Sequence, residues 1–172
     1  KSAEETDILV FSEANLTGYF LEGGVPEASL SIGKIIEVLG TPPKNCPDVV
    51  LGFYESDRNG PFNSVAYLEA SPGEFKVKHV HRKLFLPTYG VFDESRFVRP
   101  GTEVAAFSTR YGRIGLLICE DMWHSLPPTI LALQGAELII GVSASPARDF
   151  SKNEEGLPAN LKRWDTLVSS IA

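Results

Sequence analysis

Gly112-Arg113-Ile114-Gly115-Leu116-Leu117-Ile118-Cys119-Glu120-Asp121 runs from an apolar segment straight into a thiol and two acids. A short apolar run of this kind reads as a strand, over Ile114 to Ile118, that delivers Cys119 from its tip into a polar turn. Working outward, Leu138 to Val142 is another buried strand, Val104 to Ser108 precedes the run as a strand of its own, and Asp7 to Phe11 opens the chain as a strand covered on both faces. Val49 to Tyr54, Ser64 to Glu69 and Phe75 to Val80 form a hairpin meander. They are separated by Asp57-Arg58-Asn59-Gly60 and Ser71-Pro72-Gly73, both favourable turn sequences.

Helices fill the intervals. Glu27 to Leu39 carries Leu30, Ile32, Ile35, Ile36 and Leu39 near helical spacing and stops at Gly40 ahead of two prolines. Pro127 to Leu133 fits a second helix stopped at Gly135, and Pro158 to Ile171 a third with Leu161, Trp164, Leu167, Val168 and Ile171 on one side. Lys83 to Gly101, rich in proline, glycine and aromatics without a period, reads as a long ordered loop lining something. Strands mixed with helices, several strands apolar throughout, predict an α/β layered domain with helices outside a largely buried pair of sheets.

The 172 residues, read as one domain over 1–172, are 43% apolar and 22% charged, which excludes a disordered chain. A formal charge of −6 provides no broad basic surface, so nucleic acid is not an expected partner. No run approaches the roughly 20 apolar residues of a membrane span, and the first residues lack the basic-then-apolar signal pattern. No membrane partner and a cytoplasmic location are expected. Two cysteines, Cys46 and Cys119, are too few for a disulfide framework, in keeping with a reduced compartment.

A lone cysteine after a strand is commonly a small core hydrophobe. The change to Glu120-Asp121 favours instead a thiol facing a pocket, with turn N–H groups placed to hold an oxyanion. A nucleophilic thiol needs a base, and the histidines suit poorly: His79 and His81 share one strand face, and His124 follows Cys119 too closely. Glu13, directly after Leu9-Val10-Phe11, is a candidate base; the alternative is a solvated loop glutamate. Lys83 precedes the apolar Leu84-Phe85-Leu86-Pro87, where an ammonium would stabilise charge developing on a carbonyl oxygen or would simply lay its stem over the sheet. Glu94 would hold that ammonium in place, or be an ordinary exposed acid. His79-Val80-His81 offers two metal ligands without a CxxC or HExxH, and no Gly-rich phosphate loop is present, so no metal or cofactor is expected.

Three segments carry a resemblance to the carbon–nitrogen hydrolase family of the nitrilase superfamily. They are Phe11-Ser12-Glu13-Ala14-Asn15-Leu16-Thr17-Gly18-Tyr19, His81-Arg82-Lys83-Leu84-Phe85-Leu86-Pro87-Thr88-Tyr89-Gly90-Val91-Phe92-Asp93-Glu94, and Gly112 to Asp121. Each surrounds one member of the family's Glu-Lys-Cys triad, in the family's order. The resemblance implies a four-layer αββα sandwich, here lacking N-terminal elements before Asp7 and C-terminal elements after Ala172. It also implies hydrolysis of a non-peptide amide: Cys119 attacks the carbonyl, Lys83 and the N–H after Cys119 hold the oxyanion, Glu13 moves protons, and Glu94 orients Lys83 or the substrate.

The sequence looks most similar to stand-alone amidases and to the glutaminase domain of NAD synthetase, which share the Lys83–Glu94 and Ser143-Ala144-Ser145-Pro146 types of segment. By that similarity Tyr19, Tyr89, Glu120, Trp123 and Ser145 are pocket candidates, with Arg148 a carboxylate partner; structural packing is the alternative for each. Ser12 departs from the family's usual proline before the glutamate. The expected partners are a small-molecule amide and, through the Ser125 to Gly135 helix, a second copy of the chain in a homo-oligomer. The rival readings are a glutaminase serving a synthetase and a non-catalytic scaffold that keeps the fold.

Overall fold

The computed structural model describes residues 6–19, 22–90, 92–145 and 158–172. One sheet has the order β1 (Ile8–Val10), β2 (Asp48–Asp57), β3 (Gly60–Ser71), β4 (Glu74–Arg82); the other has β5 (Phe107–Thr109), β6 (Gly112–Ile118), β7 (Leu138–Val142). β1 runs parallel to β2 and β7 parallel to β6, while β2–β3, β3–β4 and β5–β6 pair antiparallel. The meander exists because its turns do: Asp57 faces Gly60 across two residues, the Asp57 carboxylate accepts from the Asn59 N–H at 2.9 Å, and Gly60 takes φ 114°.

Strand alternation divides the apolar side chains between two faces. Val50, Val65 and Tyr67 of the first sheet pack against Ile114, Leu116, Ile118 and Val142 of the second, forming the layer between sheets. The intervening residues Val49, Leu51, Phe53, Ala66 and Leu68 face outward onto Ile35 of α2 (Ile32–Leu39). On the far side Leu117 meets Leu131 of α3 (Leu126–Leu133) together with Trp164, Leu167 and Ile171 of α4 (Ala159–Ile171). The layers therefore run helix, sheet, sheet, helix. Each fully buried aliphatic or aromatic side chain contributes about 1.5–3 kcal/mol.

Three sequence expectations need correction. The predicted helix over Glu27 to Leu39 is broken: a short α1 (Val25–Ala28) ends at Ser29, and α2 begins at Ile32. Between them Leu30 leaves helical geometry to exchange hydrogen bonds with β2, its N–H donating to Tyr54 O at 2.8 Å and its carbonyl accepting from Ser56 N at 3.0 Å. Ser31 then caps α2, its hydroxyl accepting from Lys34 N at 3.2 Å. Strands β1 and β7 are edge strands with one pairing partner each among the described residues, so Leu9 (41% exposed) and Leu138 (45%) are not the buried positions expected. The expected strand from Val104 begins only at Phe107. No helix among the described residues is long and apolar enough to cross a membrane.

Candidate active site

Strands β1, β4, β6 and β7 all deliver their C-terminal ends to one edge of the sandwich, and the charged and reactive residues follow those ends. After β1 the chain stays on β2, with Phe11 N donating to Val50 O at 2.8 Å and Leu16 N to Gly52 O at 3.1 Å. It turns through Ala14 at φ 48°, directly over Gly52, where a Cβ would lie 2.6 Å from Ala14 N and Ser12 O. Glu13 is thereby pressed inward and buried. Lys83 leaves β4 pinned on both sides: its N–H donates to Asn63 O and its carbonyl accepts from Gly101 N, both at 2.8 Å. It is fully buried.

Cys119 sits where β6 passes into a short 3-10 turn, Cys119–Trp123, and takes φ 44°. A side chain other than glycine held there marks a strained elbow fixed by its surroundings. Ser143, just beyond β7, donates its hydroxyl to Cys119 Sγ at 3.3 Å, and the next N–H, that of Ala144, donates to Glu13 Oε2 at 2.9 Å.

The charges meet at one ammonium. Lys83 Nζ donates to Glu13 Oε1 and to Glu94 Oε1, each at 2.8 Å. Asn63 Nδ2 adds a bond to Glu13 Oε1 at 2.9 Å, and Tyr19 donates its hydroxyl to Glu94 Oε1. The partners of Glu13 are thus all donors, so its carboxyl group serves as an acceptor. Burial disfavours the Lys83 charge, but Glu13 and then Glu94 outweigh it and hold the lysine above its ordinary range. Burial also raises Glu94, with Lys83 pulling against it.

Burial and then the Glu13 charge push the Cys119 thiol up to about 12, against the opposing pull of Lys83 and Ser143. At rest the sulfur carries its proton. Tyr19 is likewise raised by burial and the two acids, and remains a donor. A protonated nucleophile beside an accepting carboxylate and a fixed ammonium can transfer a proton, attack a carbonyl and meet the resulting negative charge.

Of the sequence candidates, Glu13, Lys83, Glu94, Cys119 and Tyr19 come together here. Tyr89 and Glu120 pair at the rim, the phenol donating to Glu120 Oε2 at 2.7 Å, with His124 Nε2 at 3.8 Å from Glu120 Oε1. Ser145 is exposed, and its N–H donates to Ser143 Oγ at 3.1 Å. Trp123 packs edge-on against Trp164 at 5.4 Å in the outer helix layer and keeps 45% of its surface exposed. Arg148 lies outside the described residues. Among the described residues no group of three His, Cys, Asp or Glu side chains could hold a metal ion.

Sequence reading missed Asn63, Ser143 and the Ala144 N–H. Asn63 had one available signal, a carboxamide beside an apolar strand, where asparagine is unfavourable without a partner.

The family model described as Carbon-nitrogen hydrolase matches residues 1–167. The chain belongs to the carbon–nitrogen hydrolase family. This carbon–nitrogen hydrolase is 34% identical over 146 residues to the Glutamine-dependent NAD(+) synthetase of Thermotoga maritima, covering 82% of the chain and 24% of that relative. It is 33% identical over 92 residues to the N-carbamoylputrescine amidase of Solanum lycopersicum, covering 53% of the chain and 30% of the amidase. The solved structure of the glutamine-dependent NAD+ synthetase of Acinetobacter baumannii superposes with a TM-score of 0.68 at 26% identity, covering 81% of this chain and 26% of that one. The chain spans about a quarter of the length of the curated synthetases it matches. The two-sheet sandwich is the nitrilase-type αββα fold.

Proposed function

We propose that this carbon–nitrogen hydrolase cleaves a non-peptide amide to a carboxylic acid and ammonia or an amine through a thioester on Cys119. The observation that carries the reading is the buried Lys83 ammonium held at 2.8 Å by both Glu13 and Glu94, with its charge acting on the Cys119 thiol. Glu13 takes the thiol proton as sulfur bonds to the carbonyl carbon, and the carbonyl π electrons move to oxygen. Lys83 and the N–H after Cys119 stabilise that oxyanion. Collapse breaks the C–N bond, and Glu13 hands its proton to the departing nitrogen.

Water then attacks the thioester. Glu13 accepts its proton, the C–S bond breaks, and the proton returns to sulfur. Glu94 keeps Lys83 oriented, while Tyr19, Tyr89, Glu120 and Ser145 frame the substrate. Incubation with glutamine, N-carbamoyl amines and short aliphatic amides should release ammonia or amine, and Cys119→Ala should abolish release. Full activity in that variant would overturn the mechanism.

A second reading, a glutaminase delivering ammonia to a synthetase, is favoured by the 34% identity to a Glutamine-dependent NAD(+) synthetase over 82% of the chain. A kcat/KM for glutamine far above that for other amides would support it. Equal turnover of simple aliphatic amides would count against it.

A further inference from the structure

Asp121 has no exposed surface, and its carboxylate accepts four hydrogen bonds. Oδ1 takes the N–H groups of Leu84 and Phe85 at 2.9 and 3.0 Å. Oδ2 takes His81 Nε2 at 2.9 Å and the N–H of Ile118 at 3.2 Å. Because a carboxylate only accepts, His81 presents a protonated Nε2 to it. These partners bracket the reactive positions: His81, Leu84 and Phe85 stand on either side of Lys83, and Ile118 immediately precedes Cys119.

A cap on the 3-10 turn would need only the bond to Ile118 N. The other three reach across to the second segment and join the exit of β4 to the elbow of β6. We infer that Asp121, oriented by His81, is a positioning residue that fixes the Lys83 ammonium relative to the Cys119 thiol. The inference rests on the hydrolase reading above for its kinetic readout, but not for its chemical one.

Asparagine is the informative replacement, since it keeps the shape and loses one acceptor. With its oxygen toward Leu84 and Phe85, its NH2 group faces the Ile118 N–H; turned over, it faces two N–H donors. Either arrangement pushes the two segments apart. A displacement of reacting groups by on the order of 1 Å costs about 10²-fold in rate. Lys83 also draws the Cys119 thiol downward, so moving it away leaves less thiolate at a given pH.

The test uses Cys46→Ser protein, so that Cys119 is the remaining thiol, with each variant assayed well below its own Tm. Asp121→Asn should lower kcat about 10²-fold with KM changed less than about threefold. It should also slow alkylation of Cys119 by iodoacetamide about tenfold, as a one-unit rise in thiol pKa requires. His81→Gln, which can offer an N–H where Nε2 stood, should keep kcat within about threefold, while His81→Leu should lose about tenfold or more.

Unchanged kcat and alkylation in Asp121→Asn with only a lowered Tm would overturn the inference, as would His81→Gln behaving like His81→Leu. If Asp121→Asn does not fold, the two His81 variants decide. If the parent protein hydrolyses no amide, the hydrolase reading fails, and the alkylation rates alone judge the positioning role.

Discussion

Cys119 is held in an environment that opposes its own ionisation. Burial and the Glu13 carboxylate favour the neutral thiol, and Lys83 recovers part of the loss. The sign follows directly: with the thiol near 12, alkylation of Cys119 in the absence of substrate should keep rising through pH 10 without a plateau. Lys83→Met removes the positive charge that lowers it and should slow alkylation at every pH. A plateau below pH 9, read by mass spectrometry of the Cys119 peptide, would contradict this account. Glu13, Lys83 and Cys119 were legible in the sequence because each interrupts or closes an apolar run with a reactive group. Ser143 and Asn63 were harder to read, since their partners lie 24 and 50 residues away; a carboxamide beside an apolar strand signals that Asn63 needs a partner but not which one.

Glycines decide how the elements approach one another, and two of them should respond differently to alanine. At Gly52 the added methyl meets backbone of the Glu13 turn at 2.6 Å, which cannot step aside. Gly52→Ala should cost about 1–3 kcal/mol and displace Glu13, so activity falls as well as Tm. At Gly115 the obstruction is the Leu131 side chain of α3 at 2.5 Å. Gly115→Ala should cost a similar amount, about 1–3 kcal/mol, keep activity, and be relieved by Leu131→Ala. Urea titrations with parallel rate assays separate the two. The strands of the meander were readable from apolar runs and turn residues, but the interruption of the predicted Glu27 to Leu39 helix was not. It arises because Leu30 pairs with β2, a tertiary bond that outweighs helical spacing.

At the scale of the whole molecule the two sheets are tied at opposite edges. Asp48, fully buried at the start of β2, accepts from the Tyr67 hydroxyl at 2.7 Å, from Ala70 N at 2.9 Å and from the guanidinium of Arg110, which lies in the β5–β6 turn. Arg110→Ala leaves the carboxylate two of its partners and should cost about 2 kcal/mol by chemical denaturation, with activity unchanged because the site is at the other edge. On the outer face of α3, Leu126 and Leu133 (84% exposed) leave apolar surface of the kind a second copy would cover. Sedimentation should show a dimer that Leu133→Lys dissociates, and a stable monomer would remove that expectation. The opposite edge carries a different consequence. Glu13 and Lys83 belong to one sheet, Cys119 and Ser143 to the other, and neither half contains the site by itself. A folding intermediate with one sheet formed and the other undocked would therefore lack the assembled Glu13, Lys83 and Cys119 constellation. During denaturation, the loss of thiol protection at Cys119 reports the parting of the sheets rather than the fraying of any one strand.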